Sequence, residues 1–185
     1  MSFDAAKFEA FVGSLGLKHF NHKELLTRTN YAKNSPPPAK LWHNIAPTIL
    51  VLDALREEVG KPIKLISGYR TEAYNDYKNH DGRAPLSQHQ AFTAIDFSVS
   101  GMKPDDVKAL LRKWENDRWF YSPLDFQRTA ERLSIGAIPF GESPRKFSLG
   151  KLGCWFTFRG YIKAYGVSFT HLDTRGMTAT TSGGG

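Results

Sequence analysis

The chain has 185 residues, 25 Lys and Arg against 18 Asp and Glu, a formal net charge of +7, 41% apolar residues and one cysteine. That length supports one domain with a real core rather than two, and the 13% aromatic content argues against wholesale disorder. The longest apolar run, Ile49-Leu50-Val51-Leu52, ends at Asp53, so no membrane span is expected; a lone Cys154 excludes an internal disulfide and thiolate-rich zinc sites.

In chain order, Ser2 is expected to cap a helix whose apolar residues Ala5, Phe8, Phe11, Val12 and Leu15 recur at three and four, with Gly16 as its stop. A short helix follows Asn21, where Glu24 completes a capping box. Asn34-Ser35-Pro36-Pro37-Pro38 is a stiff loop that closes an amino-terminal helical cap region, residues 1–38. Leu41, Trp42, Ile45, Ile49, Leu52, Leu55 and Val59 form one face of a long helix ended by Gly60, with a kink or a fresh start near Pro47. Ile63 to Ser67 reads as a short buried strand, followed by a turn at Gly68, a helix near Thr71 to Lys78 and an irregular loop from His80 to Gln88.

Ala94 to Val99 reads as a second strand, with Asp96 and Ser98 on the face opposite Ile95, Phe97 and Val99. Pro104 to Trp114 has the proline, early acids and apolar spacing of a helix, and Ser122 and Pro123 are expected to open another through Leu133. Cys154 to Phe158, Tyr161 to Tyr165 and Ser168 to Leu172 read as strands separated by glycines, and Thr178 to Gly185 as a flexible tail. There is no internal repeat. The pattern is α+β: a single compact domain, expected to be monomeric, with a small antiparallel sheet flanked by helices. Its core spans residues 39–176, with an insertion at 113–151 and a tail at 177–185.

With thiolates excluded, a metal must be held by His and carboxylate. In Ser87-Gln88-His89-Gln90-Ala91-Phe92-Thr93-Ala94-Ile95-Asp96, a loop histidine precedes a strand-borne aspartate by seven residues, which is either a two-ligand bite on a divalent metal or a solvated loop. In Phe169-Thr170-His171-Leu172-Asp173-Thr174-Arg175, period-two alternation projects Phe169, His171 and Asp173 to one side. Ile66-Ser67-Gly68-Tyr69-Arg70 ends a strand with an arginine suited to holding a carboxylate or polarising a carbonyl, or to a structural salt bridge with Glu72 or Asp76.

Taken together and in order, Ser-Gly-Tyr-Arg with Tyr-Asn, Ser-x-His with Ala-x-Asp, and Phe-x-His-x-Asp-Thr resemble the zinc D-Ala-D-Ala carboxypeptidase and endopeptidase family, metallopeptidase family fifteen. That family is related to the VanX and VanY dipeptidases, phage endolysins and the hedgehog signalling domain, and the resemblance runs from about Leu41 to Arg175. It implies a hedgehog-like zinc site with His89, Asp96 and His171 as ligands to Zn²⁺. Arg70 is then the substrate-orienting arginine, and Ser87 a substrate contact. The activity it implies is hydrolysis of peptide bonds next to D-amino acids in bacterial peptidoglycan, with a metal-bound water as nucleophile and a neighbouring acid for the protons.

Two departures stand out. Phe92 occupies a position where the family usually has glycine, and Ser168 stands three residues before the last histidine, where many members carry a catalytic Glu or Asp. Asp173 is the alternative base, or else it orients His171 by a hydrogen bond. His80, Asp81 and Glu142 are given no role, and packing or exposure accounts for His19, His22 and His43. Trp155, Phe156, Phe158 and Tyr161 line either a groove or the core. The competing class is a non-catalytic zinc-binding or cell-wall-binding module of the same fold; a basic nuclease is disfavoured, so no nucleic-acid partner is expected. The stem peptide of peptidoglycan is the expected partner. The amino terminus lacks a secretory leader, which suits a phage-associated or virion-associated enzyme, or one held in the cytoplasm until lysis; removal of a leader would make it periplasmic.

Overall fold

The computed structural model describes residues 3–76, 86–124 and 153–181. Helix α1 (Ala5–Gly13) is capped by Asp4, whose carboxylate accepts from the Lys7 amide, so the cap lies two residues later than the expected Ser2. Helix α2 (His22–Leu25) begins with the capping box read from Asn21 and Glu24. A 3-10 turn at Ala39–Ile45 runs into α3 (Ala46–Val59), with Pro47 in the first turn. No intrahelical N–H is needed there, which makes Pro47 a fresh start instead of a kink. Gly60 then ends the helix in the left-handed region at φ 60°. Phe8 and Phe11 pack on Trp42, and Phe8, Val12 and Leu15 share one hydrophobic core with Ile49 and Leu52.

The strands are β1 (Ile63–Ser67), β2 (Ala94–Val99), β3 (Phe120–Ser122), β4 (Cys154–Tyr165) and β5 (Phe169–Thr181). They form one antiparallel sheet in the order β1-β2-β5-β4-β3. Helix α4 (Glu72–Asn75) follows a Thr71 cap, and α5 (Pro104–Trp114) occupies its expected span. The far end of the helix expected to Lys78 lies outside the described residues. Strand β3 sits where a helix from Ser122 was expected to begin, because Phe120 and Ser122 pair with Phe156 and Cys154. The remainder of that expected helix, like most of the expected insertion, also lies outside the described residues.

Gly160 does not divide β4 into two strands. It faces a bulge: pairing passes from Arg159↔Gly176 to Tyr161↔Asp173, two steps on β4 against three on β5. A Cβ at Gly160 would come within 2.1 Å of the Asp173 carbonyl oxygen, so this close crossing requires glycine. Strand β5 continues to Thr181, opposite Cys154, so residues 178–181 are paired strand where the sequence suggested tail.

Alternation gives the sheet two unlike faces. Ile95, Phe97, Leu172 and Ile162 are at most 2% exposed and belong to the core. On that side the Thr48 hydroxyl of α3 meets the Thr174 hydroxyl at 2.8 Å, and the Thr170 hydroxyl donates to the Pro104 carbonyl at the start of α5. On the other side, Ser67, Asp96, His171 and Lys163 are successive cross-strand partners, one row across four strands.

Candidate metal centre and cleft

His89 arrives at this row from a loop fixed at several points. The Asn44 side chain donates to the Ala91 carbonyl, the Thr48 hydroxyl donates to the Thr93 carbonyl, and the Arg70 amide donates to the His89 carbonyl. Phe92 lies in the left-handed region at φ 56°, the backbone state that favours glycine, and its fully buried ring packs edge-on against Tyr69. The large side chain therefore enters the core while the backbone keeps a glycine-like turn. That turn costs about 1–2 kcal/mol in a non-glycine residue.

One carboxylate oxygen organises the centre. Asp96 Oδ1 lies 3.2 Å from His89 Nε2 and 2.8 Å from His171 Nδ1. The other oxygen, Oδ2, accepts from Arg70 Nη2, and Arg70 Nε donates to Ser67 Oγ at 2.9 Å. Behind His171, its Nε2 lies 3.5 Å from Asp173 Oδ2. Arg175 grips Asp173 with two donors, Nε to Oδ1 at 2.8 Å and Nη2 to Oδ2 at 2.6 Å.

The protonation states follow from these neighbours. Burial disfavours the charged form of Asp96, but His89, His171 and Arg70 outweigh it and hold the carboxyl far below its usual range. Burial dominates at His89 and pushes its pKa down, towards the neutral ring. For His171 burial acts downward too, yet Asp173 and Asp96 together raise its value above 6.5. Asp173 is also buried, and Arg175 and His171 keep its carboxyl low in spite of that.

The donor set fits a metal. His89 Nδ1 lies 2.6 Å from the Gly68 carbonyl, to which it must donate, so the neutral ring presents the Nε2 lone pair to the Asp96 carboxylate. That Nε2 is buried and has no hydrogen-bond partner among the described residues. Two acceptors in contact in a dry site call for a cation between them. One ligand atom from each of His89, Asp96 and His171 lies within 4.8 Å of the others. Bonds of about 2.0–2.1 Å at tetrahedral angles space ligands roughly 3.3 Å apart, close to the 3.2 and 2.8 Å found here.

The centre forms the floor of a cleft of about 830 Å³. His89, Asp96, His171, Arg70 and Ser87, all singled out in the sequence, line it together, and Ser168 lies on its rim. Asp173 does not line it; that residue is fully buried behind His171. His80, Asp81 and Glu142 lie outside the described residues, while His19 and His22 contact Glu57 and Glu9. Of the aromatic candidates, Tyr161 faces the cleft, Phe156 and Phe158 are core, and Trp155 is exposed beside Tyr121 on β3.

Sequence reading missed Arg28, Lys163 and Arg175 as lining residues and Gly68 as the acceptor that fixes His89. Alternation of Tyr161, Lys163 and Tyr165 against Phe169, His171 and Asp173 would have exposed Lys163, given the register. The same alternation continued from Phe169, His171 and Asp173 would have added Arg175, whereas nothing local in the sequence marks Arg28 or Gly68.

Two imidazoles and one carboxylate at the floor of an open cleft are the ligand set of a metal-dependent hydrolase, three protein donors with a side left for a reactant. The chain belongs to the M15 peptidases: the family model described as Peptidase M15 matches residues 18–122, a span that includes Arg70, His89 and Asp96 and stops before His171. No curated protein and no solved structure matches the chain. Family membership makes the protein a peptidase with a peptide substrate, and no helix among the described residues is long and apolar enough to cross a membrane.

Proposed function

We propose that the protein is a zinc peptidase that cleaves peptide bonds next to D-amino acids in peptidoglycan stem peptides, with His89, Asp96 and His171 holding Zn²⁺. The observation that carries this reading is the buried, unpartnered His89 Nε2 aimed at Asp96 on the floor of a cleft, in a chain of the M15 peptidases. When bound, the metal supplies the Lewis acid that polarises the scissile carbonyl and activates a water.

The remaining roles belong to side chains. Gly68 fixes the tautomer of His89, and Arg70 holds Asp96 Oδ2 so that Oδ1 faces both rings. Arg70 and Ser87 also border the cleft, where they can orient substrate. Asp173 orients His171 through Nε2. Its burial and its two bonds from Arg175 support that role over the role of base, since a carboxylate so held is a poor proton acceptor. The charge of +7 favours residence on the anionic cell wall, reached after lysis or export.

The second reading is a metal-binding domain without turnover. It is favoured by the cleft itself, in which Asp96 is the only carboxylate among the described lining residues. Incubation of zinc-loaded protein with purified peptidoglycan, followed by mass analysis, separates the two. New stem-peptide termini are expected; zinc bound one to one with no such products would overturn the peptidase reading and leave the binding domain.

A further inference from the structure

The described lining of the cleft carries four cations, Arg28, Arg70, Lys163 and Arg175, against the single carboxylate of Asp96. Two of the four are committed: Arg70 to Asp96 and Ser67, Arg175 to Asp173. The other two have no carboxylate partner among the described residues. Arg28 Cζ lies 5.8 Å from the Tyr31 ring centroid and Lys163 Nζ 4.6 Å from that of Tyr165, and among the described residues these ring contacts are the side-chain interactions they make. Lys163 is the cross-strand partner of His171, on the same face of the sheet, so its charge stands beside the metal centre.

Arg28 is held in place at some cost. It lies at φ 62°, a left-handed position where a turn with only a structural duty takes glycine or asparagine. The Asn34 side chain secures this turn. Its Nδ2 donates to the Arg28 carbonyl at 2.9 Å and to the Tyr69 carbonyl at 3.3 Å, and its Oδ1 accepts from the Thr71 amide at 3.0 Å. The turn that bears Arg28 is thereby tied to the segment that bears Arg70. Backbone strain that delivers an unpaired cation into a cleft points to a ligand for that cation.

We infer that Arg28 and Lys163 receive a carboxylate of the substrate beside the scissile bond, so that the cleft selects acidic peptides over their amidated forms. The inference rests on the peptidase reading above and assigns the reading of substrate charge to these two residues, whereas Arg70 is occupied with Asp96. A guanidinium and an ammonium facing one carboxylate bind it by charge-assisted hydrogen bonds, which an amide cannot replace in kind.

The test uses the zinc-loaded full chain and two synthetic stem peptides, one with free carboxylates and one with the same groups amidated. Affinity is measured by calorimetry and turnover by mass analysis. The free acid is expected to bind about tenfold more tightly, and that ratio should collapse towards one in Arg28→Gln with Lys163→Gln. Arg28→Gly relieves the left-handed strain, so it is expected to melt no lower than the parent while losing discrimination; Arg28→Lys should restore part of the ratio. Equal affinities for the two peptides, or a ratio that survives in Arg28→Gly and in the double variant, would overturn the inference. A tenfold ratio in the parent that is lost in the variants, without hydrolysis in any of them, would leave it standing and overturn only the peptidase reading. Failure of both peptides to bind would overturn both.

Discussion

On β2, β5 and β4, Phe97, Leu172 and Ile162 alternate towards α3 and α5 and are apolar and sealed, with the hydroxyls of Thr170 and Thr174 among them bonded to those helices. Their neighbours one step along, Asp96, His171 and Lys163, are charged or titratable and form a row on the opposite face. The polar row is not simply a wet surface. Asp96 is 4% exposed and His171 8%, so the charges at these two positions are held by mutual contacts in place of water, and only Lys163 at the end of the row is exposed. A strand pleat thus separates two kinds of demand within 3–4 Å of chain: one face supplies cohesion through apolar area, the other is left with an electrostatic conflict that a cation resolves.

Substitutions on the two faces should therefore fail in different ways. The largest effect is expected on the polar face: His89→Ala should lose retained zinc and reduce hydrolysis to background, with a much smaller change in the melting of the metal-free chain, measured by metal analysis and calorimetry. On the apolar face Leu172→Ala should cost about 2–5 kcal/mol of stability in denaturant unfolding, while the fraction that remains folded still binds zinc one to one. If Leu172→Ala removed the metal from folded protein, the two faces would not be independent.

Asp173→Asn tests the layer behind the row. An orienting Asp173 implies zinc affinity lowered about 10–100-fold with hydrolysis recovered at saturating zinc; a base would leave no activity at any zinc concentration. The smallest expected effect is on pH. The raised pKa of His171 means that its protonated form stabilises the metal-free fold fully below 6.5, a contribution lost as pH rises through the folded value. Zinc must displace that proton, so the increase in melting temperature on adding zinc should grow as pH rises past 6.5; a flat response would contradict the proximity of Asp173 and Asp96 to the ring.

Much of this arrangement was legible before any coordinates. Ile63–Ser67, Ala94–Val99 and Pro104–Trp114 carry local signals, alternation in the strands and a proline with early acids in the helix, and they form where those signals put them. The same alternation already set Asp96 opposite Phe97 and grouped His171 with Asp173. What could not be read depends on pairing at a distance. Phe120–Ser122 becomes a strand only because Cys154–Phe156 lies alongside it, and Gly160 becomes the residue opposite a bulge only in the register of β4 with β5. The tautomer of His89 depends on the Gly68 carbonyl, 21 positions away, and the left-handed turn at Arg28 on the side chain of Asn34.

The central claim is that His89, Asp96 and His171 together hold one zinc ion. Zinc-edge X-ray absorption on the loaded protein tests it most directly, with His171→Ala measured beside it. The expected spectrum has a shell of light atoms only, with scattering from two imidazoles at about 2.0–2.1 Å that falls to one or disappears in the variant. A sulfur scatterer from Cys154, or a spectrum unchanged by His171→Ala, would contradict the claim.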